Sequence, residues 1–312
     1  MTQVNNATMP HTKRLLRRAL GARWRRYLGA YWMIAPALAL YAVFVVYPIG
    51  QGLWVSLHQW DGFSEMRWSG LENYRLALDD RVFWLALRHT LLFAAVVALA
   101  KTGLGLLFAI LLDLPIRGRT LFRVSAFLPV TMAFVAAGVL WSWIYNPTFG
   151  LLNTLLRAAG LGFLIHGWLS DPRLALWSIM VVDIWKWTGF HVVLLLAGLQ
   201  SIPRELYDAA IVDGASSRQR LAGITLPLLR PMIAVSITLA LAGGLASSYD
   251  VVYVMTAGGP SHATEIAATW IMSTAFRFGS FGKASAMSMI LFAIAATLGI
   301  AQLAMLSRRQ HD

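Results

Sequence analysis

The chain has 312 residues, of which 58% are hydrophobic and only 13% are charged, and its mean hydropathy is +0.63. This composition is too apolar for an ordinary soluble domain and predicts a membrane protein, while the lack of cysteine excludes disulfides and thiolate metal sites. The net charge of +12 would suggest nucleic acid for a soluble protein, but in a membrane protein it indicates cytoplasmic loops rich in Lys and Arg.

Residues 1–30 are predicted to form a basic cytoplasmic tail without any acidic residue. Its basic residues are Lys13, Arg14, Arg17, Arg18, Arg23, Arg25 and Arg26. Beside a membrane span, such a stretch fixes orientation and attracts anionic headgroups, so we expect no nucleic-acid partner. The apolar run that follows is too long for a cleaved signal peptide. Residues 31–84 are therefore predicted to hold an uncleaved first helix and an outer loop.

Six apolar windows reach the roughly 20 residues that a helix needs to cross a bilayer. They are Tyr31–Leu57, His89–Asp113, Val124–Tyr145, Leu176–Leu199, Pro231–Tyr253 and Ala286–Leu306. The predicted fold class is all-α: a polytopic membrane protein with six transmembrane helices, the last five in a core at residues 85–306. Pro36 and Pro48 in the first span predict a kink or an end.

The distribution of basic residues predicts the orientation of these spans. With the N-terminus inside, the cytoplasmic pieces are 1–30, 114–123, 201–230 and 307–312. They hold 16 Lys and Arg in 76 residues, against 8 in the 90 residues of the opposite pieces. Because positive loops stay inside, we expect a multi-pass protein of the cell membrane with both termini and the loop 201–230 in the cytoplasm.

The loop 201–230 is polar to mixed and lies between two long apolar segments. A helix is predicted to start near Ser201, a possible N-cap, with Pro203 in its first turn and Glu205 near the positive end of its dipole. Asp213-Gly214 is predicted to stop that helix, since glycine accepts the left-handed conformation that usually ends one. A second segment then leads into the fifth span.

The loop reads Asp208-Ala209-Ala210, then Gly214, then Ile224-Thr-Leu-Pro227. This spacing resembles the Glu-Ala-Ala loop of ABC importer permeases. Asp208 departs from the usual Glu, which keeps the charge but shortens its reach. Other stretches resemble the first-permease branch of the maltose, lactose and glycerol-3-phosphate type. These are Phe83-Trp84, Asn146-Pro147 to Asn153, Trp185-Lys186-Trp187, Ala197 to Pro203, and Thr256 to Pro260 with Thr264.

The resemblance implies a type I ABC importer transmembrane domain in its shorter six-span form. It implies a second permease subunit as heterodimer partner, two ATPase subunits that hold ATP and Mg, and an extracytoplasmic solute-binding protein. No cofactor is expected on this chain. The loop would dock on an ATPase through Glu205, Asp208, Ala209, Ala210, Gly214, Ile224, Leu226 and Pro227. The alternative is an interfacial helix that only ties two spans together.

Charged and polar groups inside the spans are the candidates for a solute path, since such groups are costly in a bilayer. Sugars bind to rings and hydroxyl or carboxyl groups, so the predicted path residues are Trp185, Lys186, Ser247, Ser248, Tyr249 and Asp250. A structural role remains open: Asp183 and Lys186 could pair along one helix, and the serines and Tyr249 could serve packing and anchoring.

Two other classes of protein are weighed against the importer. An ion-driven secondary transporter would use the membrane charges to bind its ion. An intramembrane enzyme would need a nucleophile or metal site, and the seven histidines show no metal spacing. The chain also lacks a phosphate-binding glycine loop with its Lys-Ser/Thr, so we expect it to be a transport subunit that hydrolyses no ATP itself.

Overall fold

Helix α1 (Trp32–Ser56) is the first element of the computed structural model, which describes residues 32–115, 117–246 and 248–308. The tail 1–30 lies outside these residues. Helix α1 widens into a π turn at Ala42–Val46, where the Tyr47 amide donates to the Ala42 carbonyl. Pro48 follows directly and has no amide to donate. The helix nevertheless continues past Pro36 and Pro48, so neither proline ends it, and the π turn lies directly before Pro48.

The chain divides into two compact units between Trp54 and Val55. Among the described residues, the second unit holds β1 (His58–Gln59), β2 (Arg67–Trp68), α2 (Glu72–Leu78), α3 (Arg81–Asp113), α4 (Arg119–Phe127), α5 (Phe134–Ile144), α6 (Leu151–Ala158), α7 (Ala175–Gln200), α8 (Arg204–Val212), α9 (Ser217–Ala246), α10 (Ser248–Thr256), α11 (Ala267–Phe276) and α12 (Phe281–Arg308). The two short strands pair antiparallel. The all-α prediction is confirmed, with this hairpin as a minor addition.

Five of these helices are long and apolar enough to cross a membrane: α1, α3, α7, α9 and, over Phe281–Gln302, α12. The third predicted span differs from the others. It consists of two segments: Arg119–Thr131, which is α4 with the 3₁₀ turn that follows it, and α5. Only together are these segments long and apolar enough to cross a membrane, and they are bent by 102° relative to each other. Counted as one span, this pair brings the described residues to the predicted six.

The third span predicted over Val124–Tyr145 is therefore broken in the structure and is not one continuous helix. Pro129 lies in the 3₁₀ turn Leu128–Thr131 and has no amide to donate. Met132 and Ala133 are then extended, with ψ of 143° and 144°, before α5 begins. The backbone thus leaves the helical conformation in the middle of the span.

Three helices make the centre of the bundle: α3 packs along α7, and α9 packs on α3. One buried cluster joins α3, α7 and α10 through Phe93, Val97, Ile179, Met180, Val251 and Val252. A second cluster lies towards the loop 201–230 and joins α3, α7 and α9 through Ala109, Leu112, Val192, Leu195, Leu199 and Leu229. We call this second group the loop-side cluster, because it is the part of the core that the loop contacts.

Asp80 ties the start of α3 to the last two helices, which is why α3 begins well before the predicted His89. Its Oδ1 accepts the amides of Val82 at 2.9 Å and Phe83 at 3.0 Å. Its Oδ2 accepts Lys283 Nζ at 2.7 Å and Trp270 Nε1 at 3.2 Å. Burial alone would raise the pKa of the Asp80 carboxyl, but the hydrogen bonds and the charge of Lys283 hold this pKa below its usual 3.8.

We predict that Asp80→Asn lowers the free energy of unfolding by about 2 kcal/mol, because a charge-assisted hydrogen bond to Lys283 is lost. The contribution of Asp80 is complete above its ordinary pKa of 3.8 and is lost as the pH falls through the lowered value. Unfolding of the full chain in nanodiscs at pH 7 and at acidic pH measures both effects.

The matched control is Asp79→Asn. Asp79 is 73% exposed and its contact with Arg75 Nε is 3.9 Å long, so its loss should cost no more than about 0.5 kcal/mol. Equal losses of stability in the two variants would contradict the role assigned to Asp80.

Candidate docking loop and membrane-embedded polar groups

The first half of the loop is helix α8, and it begins later than predicted. Ser201 is not its N-cap: because α7 runs to Gln200, the Ser201 hydroxyl lies beside the free carbonyls at the end of α7. Its Oγ donates to the Gly198 carbonyl at 2.7 Å. Helix α8 starts at Arg204 after Pro203, whose φ of −57° already suits a helix.

Gly214 ends α8 as predicted, in the left-handed conformation with φ +76°. The Ala215 amide donates to the Ala210 carbonyl at 2.8 Å, and the Gly214 amide donates to the Ile211 carbonyl at 3.0 Å. These two bonds form a Schellman motif, which satisfies carbonyls that the helix end leaves free. The turn therefore has a defined geometry that depends on glycine at position 214.

The second half of the loop belongs to α9, the fifth span, which starts at Ser217 instead of the predicted Pro231. A capping box fixes this start: the Ser216 amide donates to Gln219 Oε1 at 2.8 Å, and the Gln219 amide donates to Ser216 Oγ at 3.4 Å. A π turn at Leu221–Thr225 precedes Pro227, so the proline that ends the predicted motif is accommodated within the helix.

Tyr207 connects α8 to the helices of the bundle. Its hydroxyl hydrogen-bonds Thr225 Oγ1 of α9 at 2.9 Å. The side chains of Tyr207 and Ile224 also pack on the loop-side cluster. Helix α8 is thereby joined to α3, α7 and α9 through direct contacts.

The outer face of α8 is exposed and carries three of the eight predicted docking residues. Glu205, Asp208 and Ala209 are exposed and occur at i, i+3 and i+4, which places them on one side of the helix. Val212 continues that side and is 87% exposed. Ala210, Ile224, Leu226 and Pro227 are half-buried behind it. The structure therefore presents a compact helix–turn–helix edge with two acidic groups and an apolar end.

Two charges within the spans pair with each other. Lys101 Nζ of α3 and Asp183 Oδ2 of α7 form an ion pair, with side chains 3% and 5% exposed. The sequence left open a pairing of Asp183 with Lys186, and in the structure Asp183 pairs with Lys101 instead. Because α3 and α7 pack along each other, Lys101 faces Asp183 directly, and a buried charge is costly unless it has such a partner.

Lys186 lies on the same helix and points elsewhere. Its Nζ donates to the backbone carbonyl of Val130 at 3.1 Å. The ammonium also lies over two rings, 4.7 Å from the centroid of Phe134 and 5.0 Å from that of Trp187. Its neighbour Trp185 meets Trp141 of α5 edge-on, with ring centroids 5.4 Å apart.

A hydroxyl and imidazole network crosses the same three helices and was not found from the sequence. His191 Nδ1 of α7 is 2.8 Å from Ser236 Oγ of α9, which is 3.0 Å from Thr102 Oγ1 of α3. The sequence shows His191 as a lone histidine. The signal that could have revealed its partners is the presence of single polar residues on apolar helices, which usually face one another.

The predicted path residues on α10 separate into buried and exposed groups. Ser248 is buried, whereas Asp250 is exposed. The half-buried ring of Tyr249 stacks on Tyr253 with centroids 5.4 Å apart. Ser247 lies outside the described residues. Helix α10 packs against α5 and α7, so Tyr249 and Asp250 lie on the helix that adjoins the elements of Trp185 and Lys186.

Comparisons with known proteins agree with this architecture. Residues 101–311 match the family described as binding-protein-dependent transport system inner membrane component. The chain belongs to this family. The trehalose/maltose transport system permease protein MalF of Thermococcus litoralis is 36% identical over 285 residues, which cover 90% of this chain and 94% of that protein. The lactose transport system permease protein LacF of Rhizobium radiobacter is 35% identical over 284 residues, or 89% and 94% of the two chains.

The fold has a counterpart among solved structures. A bacterial ABC transporter involved in the import of the acidic polysaccharide alginate superposes with a TM-score of 0.80 at 22% identity, over 93% of this chain and 99% of that chain. The predicted type I transmembrane domain is confirmed. With the family match, the chain is a multi-pass permease subunit of an ABC importer, and it is a transport subunit rather than an enzyme.

We predict that Gly214→Val reduces uptake per assembled complex, because valine resists the positive φ at this turn, which costs an ordinary residue about 1–2 kcal/mol. A Cβ at Gly214 would meet open space, so the effect comes from the backbone alone. Gly223→Ala is the control: Gly223 is helical with equally open surroundings, and alanine favours a helix. Normal uptake by Gly214→Val would show that the turn is dispensable.

Proposed function

We propose that this permease subunit moves a sugar or sugar-like solute into the cytoplasm and is coupled to a separate ATPase through the loop 201–230. The observation that carries the coupling is the exposed edge of α8, which the Tyr207–Thr225 hydrogen bond joins to the spans. The sugar class is supported by relatives named for trehalose/maltose and lactose transport over most of the chain.

The proposed assembly contains a second permease subunit, two ATPase subunits and an extracytoplasmic solute-binding protein. ATP and Mg would be held by the ATPase subunits. In support of a solute-binding partner, a bacterial alginate ABC transporter with a TM-score of 0.78 was solved in complex with an alginate pentasaccharide-bound periplasmic protein. The family description itself specifies binding-protein-dependent transport.

In the proposed mechanism the ATPase contacts α8 through Glu205, Asp208 and Ala209. Glu205 and Asp208 form no ion pair or hydrogen bond within the described residues, so both carboxylates are available to basic groups of a partner. Val212 and Ile211 supply exposed apolar surface beside them. When ATP closes the ATPase dimer, the movement of α8 passes through Tyr207 to α3, α7 and α9.

The proposal places the loop 201–230 and both termini in the cytoplasm. The support is the excess of Lys and Arg in the pieces 1–30, 114–123, 201–230 and 307–312. The domain limits proposed from the sequence, with an N-terminal helix region at 31–84 and a permease core at 85–306, fit this arrangement. The remaining alternative, an ion-driven secondary transporter, has no support from the family match.

The proposed solute path runs beside α10 and α7. Asp250 is an exposed carboxylate that follows the fifth span, and a charge at that place avoids lipid by facing water or a partner subunit. Tyr249 and Tyr253 form a stacked aromatic surface next to it. Trp185 and Lys186 lie on α7, the buried Ser248 lies on α10, and these three residues are kept with Ser247 as candidates from the sequence.

The docking proposal predicts a cross-link between Ala209→Cys and a cysteine in the partner ATPase. The chain has no native cysteine, so the engineered thiol is unique, and Ala209 is exposed. Phe63→Cys is the control, because Phe63 is 97% exposed but lies in a piece predicted to face outside. Cross-linking of both positions, or of neither in an assembled complex, would contradict the docking site and the orientation.

The path proposal predicts that Asp250→Asn leaves complex assembly normal but changes the uptake rate or the solute preference, since a carboxylate acceptor for hydroxyls is lost. Uptake is measured in vesicles with saturating binding protein and is normalised to the amount of complex. Tyr249→Ala tests the aromatic part. Unchanged normalised rate and preference in both variants would exclude this path while leaving the importer function intact.

A further inference from the structure

The break in the third span leaves backbone carbonyls without the amide partners that a continuous helix would give them. At the break, the Leu128 carbonyl accepts Thr131 Oγ1 at 2.8 Å and the Pro129 carbonyl accepts the Met132 amide at 3.2 Å. The next carbonyl, that of Val130, is held by Lys186 Nζ at 3.1 Å. A buried carbonyl without a hydrogen-bond partner is costly, so the ammonium group supplies a partner that the backbone at the break lacks.

Lys186 contacts both halves of the broken span. Val130 belongs to the turn that ends the first half, while Phe134, whose ring centroid lies 4.7 Å from Nζ, is the first residue of α5. The ring face attracts a cation. One side chain of α7 therefore bridges the two helices at the point where they bend by 102°.

Gly189, one turn further along α7, brings the backbones together at the same place. A Cβ built on Gly189 would meet the carbonyl of Ala126 and would lie 2.9 Å from Phe127 Cα. Both atoms belong to the backbone of α4, which cannot move aside locally. Only glycine allows this approach, so the position of α4 against α7 is fixed within reach of Lys186.

The side chain of Lys186 is committed to this contact in the structure. It is 3% exposed, and the nearest carboxylate on its helix, Asp183, is engaged by Lys101. A group that is enclosed in this way contacts the backbone of the protein and has little surface left for a solute. Its charge is balanced by a carbonyl dipole and two rings.

The position of α5 has consequences for the helix that carries Asp250. Phe134 and Trp141 of α5 pack on the same buried cluster as Val251 and Met255 of α10. An altered bend in the third span would therefore displace α5, on which α10 packs. The exposed surface of α10 at Tyr249 and Asp250 would then shift as well.

We propose that Lys186 is a positioning residue of transport: its ammonium group sets the bend of the third span and thereby places α5 against α10, and it does not act as a solute ligand. The structural part of this inference is independent of the solute. Its effect on uptake rests on the proposed function, so the two are measured separately.

The structural test uses spin labels on the two halves of the broken span in the full chain in nanodiscs. Phe122→Cys on α4 and Val139→Cys on α5 are suitable sites, since these side chains are 58% and 42% exposed and the chain has no other cysteine. Lys186→Met should shift or broaden the distance distribution, because it keeps the length but removes the donor. Lys186→Arg should preserve the distribution, because guanidinium can still donate to the carbonyl.

Ser236→Ala is the matched control, since it removes an equally buried polar contact of α7, the one to His191, away from the break. It should leave the distance distribution unchanged. Phe134→Leu provides a second, milder variant should Lys186→Met fail to fold, and it should broaden the distribution in the same sense. A wild-type distribution in Lys186→Met and Phe134→Leu, or an equal effect of Ser236→Ala, would overturn the proposal.

The functional test compares uptake at a range of solute concentrations in the assembled complex. Lys186→Met should lower the maximal rate by about tenfold, as expected for loss of a charge-assisted hydrogen bond, and this loss should accompany the altered distance distribution. Lys186→Arg should restore the rate. A changed preference together with a wild-type distance distribution would identify Lys186 as a solute ligand and overturn the proposal.

Discussion

Polar groups inside a bilayer have no water to bind, so each must find its partner within the protein. The centre of this permease is organised by that constraint. The Lys101–Asp183 ion pair joins α3 to α7, and the Thr102–Ser236–His191 chain adds α9. These contacts are worth little as net stability, since burial of charge is costly. We therefore interpret them as a source of specificity, because they favour one alignment of three otherwise apolar helices.

The docking loop depends on the same alignment. Helix α8 contacts the loop-side cluster through Tyr207, and that cluster consists of residues from α3, α7 and α9. Under the proposed coupling, a displacement of α8 would reach the three helices together, because buried polar contacts join them. Val212 and Ile211 add exposed apolar surface to α8 itself.

The features that could be predicted from the sequence are those with local causes. Gly214 ends α8 because the turn needs positive φ at that residue, and the apolar windows mark the spans because their length matches the bilayer. Pairings across helices could not be predicted: Asp183 has Lys186 three residues away, yet the packing of α3 brings Lys101 to it instead. The break at Pro129 was equally hidden, since Pro48, Pro227 and Pro231 all lie within helices that continue. A proline predicts a missing hydrogen bond, and the surrounding helices decide whether a π turn or a break follows.

Helix α3 has 33 residues and is therefore about 50 Å long at 1.5 Å per residue, whereas the hydrocarbon layer is about 30 Å thick. Both ends of this rod are clamped: Asp80 holds one, and Arg123 Nη2 donates to the Leu112 carbonyl at 3.3 Å near the other. Lys101, between them, is fixed to α7 by its ion pair. The excess length of about 20 Å has to be taken up by tilt or by extension beyond the hydrocarbon layer. Because α3 is held at its start, in its middle and near its end, the helices that hold it have to share its inclination.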